Sequence, residues 1–211
     1  MTYEDHNAAA ARPPGAEELI IASGGRLTVA SGGVVATADG VGAVAHSSVT
    51  AEECGCGAVH HTQLTLSGSP VLMLVEAVTV GWGSLKLYDM PAGAIQFLGA
   101  VANLTVERFG TEISATFDGD FGIGTVAADN DASLATTEQN IIPTTATPQA
   151  VAGATTAKGQ STAAESIVVK GTTTAVDVYL NLLVDIADIS DADGLTVNGT
   201  IDLFWINLGD Y

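Results

Sequence analysis

The sequence predicts an all-β chain folded as an antiparallel β-sandwich, and three observations carry that expectation. Hydrophobic residues make up 47% of the 211 positions but aromatics only 5%, so the apolar content is chiefly Ala, Val, Leu and Ile. Such small and β-branched side chains suit a pleated, half-buried surface. Twenty-four glycines point to many tight turns. Apolar and polar residues also alternate in short runs, most cleanly from Thr174 to Ile186, where Val176, Val178, Leu180, Leu182, Val184 and Ile186 share one face and Asp177, Asn181 and Asp185 the other.

Residues Met1 to Glu18 read as an N-terminal arm preceding a sandwich over residues 19–211. Within the arm, Ala8 to Ala11 forms a helical turn that Pro13-Pro14-Gly15 ends. The arm reads as a frayed terminus or, alternatively, as a segment that orders against a neighbouring subunit or partner. Strands are then expected at Leu19–Ala22, Arg26–Ala30 and Val34–Ala38, separated by two Ser-Gly-Gly turns. After Thr62–Leu66, the stretch Ser67-Gly68-Ser69-Pro70 reads as a turn. Val71 to Val80 is apolar on both faces, as in a strand covered on both sides. Gly81-Trp82-Gly83 would reverse it, placing Glu76 opposite Lys86 as a cross-strand ion pair.

Asp89 to Gly93 is another turn. In Ala94–Val106 the apolar phase shifts, which predicts a bulge between Gly99 and Asn103. A strand with one wet side is expected at Ile113–Phe117, followed by glycine- and aspartate-rich turns to Asp131. Composition changes to Thr, Ala, Gln and Gly over residues 133–166, which reads as a surface excursion. The β pattern resumes from Ala164 to Lys170. Asp193-Gly194 and Asn198-Gly199 are both hairpin-type dipeptides, and the pattern does not choose between them.

The net charge is −18 at pH 7. The cations Arg12, Arg26, Lys86, Arg108, Lys158 and Lys170 are scattered, so the gathered positive charge that phosphate binding needs is missing. Nucleic acid and anionic membranes are therefore not expected partners. The longest apolar run is far shorter than the ~20 residues of a membrane-spanning helix. The acidic start Met1-Thr2-Tyr3-Glu4-Asp5-His6 lacks the basic end and apolar core of a secretory signal, so synthesis and use in a reducing cytoplasm is expected.

The sharpest chemical cluster is His46, Cys54, Cys56, His60 and His61. Thiolate and imidazole ligate zinc, but Cys54-Gly55-Cys56 has a one-residue gap where structural zinc sites have two to four. A polar loop or subunit contact is the expectation instead. Asp118-Gly119-Asp120, Asp129-Asn130-Asp131 and the acidic loop from Asp188 lack the twelve-residue calcium-loop pattern, and turn formation accounts for them. No nucleophile elbow, Walker loop or dinucleotide pattern occurs, so no catalytic residue, cofactor or metal is expected.

The stretch Asp118-Gly-Asp-Phe-Gly-Ile-Gly-Thr-Val-Ala-Ala-Asp-Asn-Asp131, with Leu134, Thr137-Glu138 and Ile141-Ile142-Pro143, resembles small virion proteins of tailed bacteriophages, the capsid decoration or cement proteins. The resemblance covers about Ile95 to Asp210. It implies a β-rich, jelly-roll-like fold and a place on the outer surface of the virion. It further implies the major capsid protein as partner and self-association, commonly as a trimer. In that setting the arm and residues 133–166 are expected to clamp neighbouring capsomers. Two rival readings are a carbohydrate- or host-surface-binding β-sandwich and a neck or tail subunit. The first needs exposed aromatics, whereas Trp82 and Trp205 sit among core-like residues.

Overall fold

The computed structural model describes residues 10–11, 20–21, 42–54, 59–75, 80–129, 132–162, 167–171 and 175–209. The chain divides into two units, Met1–Val35 and Ala36–Tyr211. In the first, strands β1 (Ala10–Ala11) and β2 (Ile20–Ile21) pair antiparallel, Ala10 with Ile21 and Ala11 with Ile20. Ala10 and Ala11 are thus strand rather than the expected helical turn. The strands expected at Arg26–Ala30 and Val34–Ala38 lie outside the described residues.

The second unit is all-β. Its strands are β3 (Ala43–Val44), β4 (Val49–Cys54), β5 (His60–Val75), β6 (Val80–Asp89), β7 (Gly93–Arg108), β8 (Gly119–Gly124), β9 (Ile142–Thr147), β10 (Ala154–Gln160), β11 (Val168–Gly171), β12 (Asp177–Asp185) and β13 (Asp193–Asn207). Two single 3-10 turns, Thr136–Glu138 and Ile186–Asp188, are the only helical elements among the described residues. Every strand pair is antiparallel, and the ladder runs β10-β7-β13-β5-β6-β12-β8-β9. β4 adds to β5, β11 to β7 and β3 to β6. The ladder winds far enough to bring its end strands β9 and β10 side by side without pairing them, so the sandwich is a sheet that nearly closes into a barrel.

β5 is the corner. Its first part pairs with β4 and β13, while Leu74 and Val75 pair with Trp82 and Gly81 of β6. A strand that passes from one layer to the other needs a bend, commonly a bulge. Here Ser67 and Gly68 oppose the single residue Asn198, whose Oδ1 accepts the Gly68 N–H at 2.8 Å. Gly199 beside it has φ 133°, and a Cβ there would meet Asn103 O at 2.1 Å, so only glycine fits.

One apolar core fills the space between the layers, built on Trp205, Tyr88, Phe97, Phe117, Phe121, Leu64, Met73 and Leu104. β12 shows the expected alternation, with Val178, Leu180, Leu182 and Val184 buried in that core. A second small cluster, Val80, Leu134 and Leu183 with Trp82 and Ala128, lies on the other side of β6 and β12.

Several expectations are corrected. Ser67–Pro70 is a bulge inside β5, not a turn, and Asn198-Gly199 is its partner, not a hairpin. Asp193-Gly194 opens β13, so neither dipeptide reverses the chain. Gly81–Gly83 lie within β6, because Gly81 pairs with both Val75 and Val184. Lys86 is held instead by Asp89 at 2.6 Å and Asp177 at 3.0 Å, and these two carboxylates push its ammonium pKa up; Glu76 lies outside the described residues. Leu72 and Leu74 are exposed, so β5 is not covered on both sides. The phase shift in β7 comes at Leu98, one residue earlier than expected: Trp205 pairs with Phe97 and Phe204 with Gly99, which leaves Val101 on the outside. Ile186 leaves the strand and is exposed in a 3-10 turn.

Ile113–Phe117 buries its ends as the alternation requires, but is not a strand. Ile113 makes one bridge to Ile189, and the chain then turns, with Phe117 N–H on Ser114 O at 3.3 Å. The Ser114 hydroxyl accepts the Thr116 N–H at 3.2 Å, the local bond by which serine competes with a ladder. Residues 133–162 are not a surface excursion. They supply β9 and β10, the two ends of the ladder, and bury Ile141, Ile142, Ala150 and Ala157.

Candidate interaction face

Alternation in β5 separates the two adjacent histidines. His60 points inward, stacked on Trp205 with centroids 4.0 Å apart, and its Nδ1 lies 2.8 Å from Glu53 Oε1. His61 points outward, stacked on Phe204 at 4.6 Å, with Nε2 2.8 Å from Asp202 Oδ1. His46 is engaged with Ser48 at 2.7 Å. Cys54 stands opposite His61 in the β4–β5 register, and Cys56 lies outside the described residues. Since His60 and His61 face opposite sides of one strand, these two imidazoles do not converge on one ion. Among the described residues no group of three or more His, Cys, Asp or Glu is placed to hold a metal.

The inward group is a buried polar network. The Thr62 hydroxyl donates to Glu53 Oε2 at 2.5 Å and accepts the Trp205 indole N–H at 2.9 Å. Burial and the nearby Glu53 carboxylate push the Tyr88 phenol up to about 12. The order of bonds matters chemically. Glu53 accepts the Thr62 hydrogen bond and also faces His60, so in this network the Thr62 hydroxyl is directed at a carboxylate and not at the imidazole.

The aspartates proposed as turn formers split into two arrangements. Asp118 lies beside Asp185 and Asp188; partial burial and these two carboxylates push its pKa up, and burial with Asp118 does the same for Asp120. Asp129 belongs to a loop from Thr125 to Ile141 that lies over β6 and β12. Glu138, nearly fully buried, accepts the N–H groups of Asp129 at 3.1 Å and Ala135 at 2.6 Å. Buried Asn181 holds the same loop, donating to Val126 O at 2.9 Å and Glu138 O at 2.7 Å and accepting Ala128 N–H at 2.9 Å. At Gly124 a Cβ would meet the Glu138 backbone at 2.2 Å, so the glycine is what lets the loop lie so close.

With that side covered, the open surface is the outer face of the other layer, β4-β5-β13-β7-β10. Register places its outward side chains in rows. One row runs Thr50, Thr65, Thr200, Asn103 and Lys158, and the next Asn198, Thr105 and Thr156. Carboxylates appear only in flanking rows, as Glu52 and Asp202 on one side and Glu107 on the other. At the Glu107 end, Leu72 is 63% and Phe109 82% exposed, with a hollow of about 250 Å³ between them over Gly194. Sequence reasoning missed this face because its signal is the cross-strand register, not any contiguous motif.

No family model, no curated protein and no solved structure matches the chain.

Proposed function

We propose that this chain is a capsid decoration or cement protein, a non-enzymatic virion component that seats this outer face on the major capsid protein of a tailed phage and bridges neighbouring capsid subunits. The carrying observation is where the charge is absent. In a chain with 24 acidic residues, the two central rows of the open face carry hydroxyls and amides, one lysine and no carboxylate. Depletion of charge at the centre with a polar rim is the anatomy of protein interfaces, and exposed Leu72 and Phe109 add apolar anchors at one end. The resemblance of Asp118–Asp131 and Ile141–Pro143 to decoration proteins supports the same reading. The acidic remainder keeps copies soluble and mutually repelling until a particle gathers them.

The test is co-sedimentation with purified phage heads. Thr105→Arg with Thr200→Arg places two long cations at the centre of the face, on half-buried positions from which a long side chain reaches solvent. Particle occupancy should fall at least about tenfold with the far-UV spectrum and Tm of the free protein unchanged. Undiminished occupancy would refute this face as the contact.

A further inference from the structure

We propose that the end of the open face around Phe204 and Gly99 is a binding site for a neutral oligosaccharide. Gly99 is a glycine that the fold does not require. It sits in mid-strand, its φ lies outside the left-handed region, and a Cβ built there meets nothing within 4 Å. A glycine in a strand interior weakens the strand relative to alanine, and it commonly marks a bulge, as at Leu98 here, or a place where something else approaches the backbone.

Its cross-strand neighbour is Phe204, and an aromatic opposite a glycine commonly lies over it. Here the ring leans the other way, onto His61, whose far side is fixed by Asp202; Gln63 also donates to Asp202 at 2.9 Å. The result is a braced aromatic, 36% exposed, beside an uncovered stretch of backbone. The β7 bulge at Leu98 lies at the same spot. Bulges recur beside functional sites, where they re-aim side chains.

The hollow over Gly99 measures about 400 Å³, with Leu98 and Val101 as apolar walls and Gln160 at its rim. Through Val101 and Gln160 it continues into a trough of about 620 Å³ that passes Asn103 and Lys158 to Thr145 and Pro143. Volumes of this order are those of small-molecule sites. A flat aromatic face with amides and hydroxyls along an elongated trough matches a chain of sugar rings, each with an apolar C–H face and a polar edge. The trough crosses β13, β7, β10 and β9 in turn, at right angles to the direction in which an added peptide strand would pair, which argues against an extended peptide. The net charge of −18 repels anionic glycans and selects neutral ones.

The trough shares Asn103 and Lys158 with the central row of the open face, but its test uses the purified protein alone, so it stands or falls apart from the particle-binding reading. Native gels cast with a neutral α-glucan, a neutral β-glucan or alginate, followed by calorimetric titration with the matching hexasaccharides, measure it. Wild type should be retarded by at least one neutral glucan and not by alginate. Gly99→Val fills the hollow with a good strand former, so it should weaken binding about tenfold or more while Tm stays level or rises. No retardation by either neutral glucan, equal binding by Gly99→Val, or a lowered Tm in that variant would each overturn the proposal. Selection of peptides from a random library that bind wild type but not Gly99→Val, with neither glucan retarding the protein, would make this a peptide site and would equally overturn it.

Discussion

At the scale of single residues, the placement of a few polar groups separates structure from chemistry. Glu53, Thr62, His60 and Trp205, with Tyr88 beside them, form a bonded set in which the carboxylate and the imidazole answer each other, and this is how a largely buried carboxylate and imidazole are tolerated between apolar layers. Asp118 is the opposite case. Its raised pKa means the folded state holds a proton more tightly than the unfolded chain. That contribution to stability is present when the carboxyl is protonated, below its unfolded value near ~3.9, and is lost as pH rises through the raised folded value. Asp118→Asn keeps a neutral side chain at all pH. It should raise Tm at pH 7 by about 1–3 °C, with the gain shrinking toward zero in melts taken at successively lower pH. A lower Tm for the variant at pH 7 would mean that the charged carboxylate is stabilised by something other than its neighbours.

At the scale of elements, the loop from Thr125 to Ile141 decides which faces of the sandwich remain open. It closes the outer side of β6 and β12 through Leu134 and through Asn181, which bonds it at three points. Asn181 lies on the polar face of an amphipathic strand in sequence, yet is fully buried because the loop supplies the polar atoms that water would otherwise provide. Asn181→Ala leaves two loop carbonyls without their donor and takes away the Oδ1 that accepts the Ser84 hydroxyl at 2.7 Å. Urea denaturation should show a loss of about 2–4 kcal/mol, and limited proteolysis should open new cuts between residues 125 and 141. An unchanged midpoint and unchanged cleavage would show that the apolar contacts alone hold the loop.

At the scale of the whole molecule, an acidic β-sandwich with one charge-poor face suits a protein used in many identical copies. Weak contacts at each copy add up when a particle presents a repeated lattice. The resemblance to decoration proteins implies a trimer, in which case light scattering should give three chains of 21.3 kDa per particle-free oligomer, and a monomer would remove that part of the reading. Removal of residues 1–18 should abolish head occupancy. Full occupancy by the truncated protein would remove the arm from the clamp.

Much of the architecture was legible in the sequence because strands announce themselves locally. Alternation named the buried face of β12 from Val178 to Val184, though not Ile186 beyond it, and it named the buried residues at both ends of Ile113–Phe117 even where the backbone turned instead of extending. The places where sequence reasoning failed were long-range. A bulge and a hairpin draw on the same dipeptides, so Asn198-Gly199 reads as a reversal in sequence, whereas in the fold Gly68 lies across from it. The Thr-, Ala- and Gly-rich stretch that supplies β9 and β10 has too few large side chains to look like core, yet its ladder positions at the two ends of the sheet bury Ile142 and Ala157. Chemistry followed the same division. The composition alone determined an acidic, glycine-rich, all-β chain with scattered cations. Only the tertiary structure decided that His60 and His61 serve opposite faces, that the loop over Asn181 closes one layer, and that Gly99 lies uncovered beside Phe204. Those outcomes depend on which strands become neighbours, and pairing between distant segments is set by the packing of the whole core.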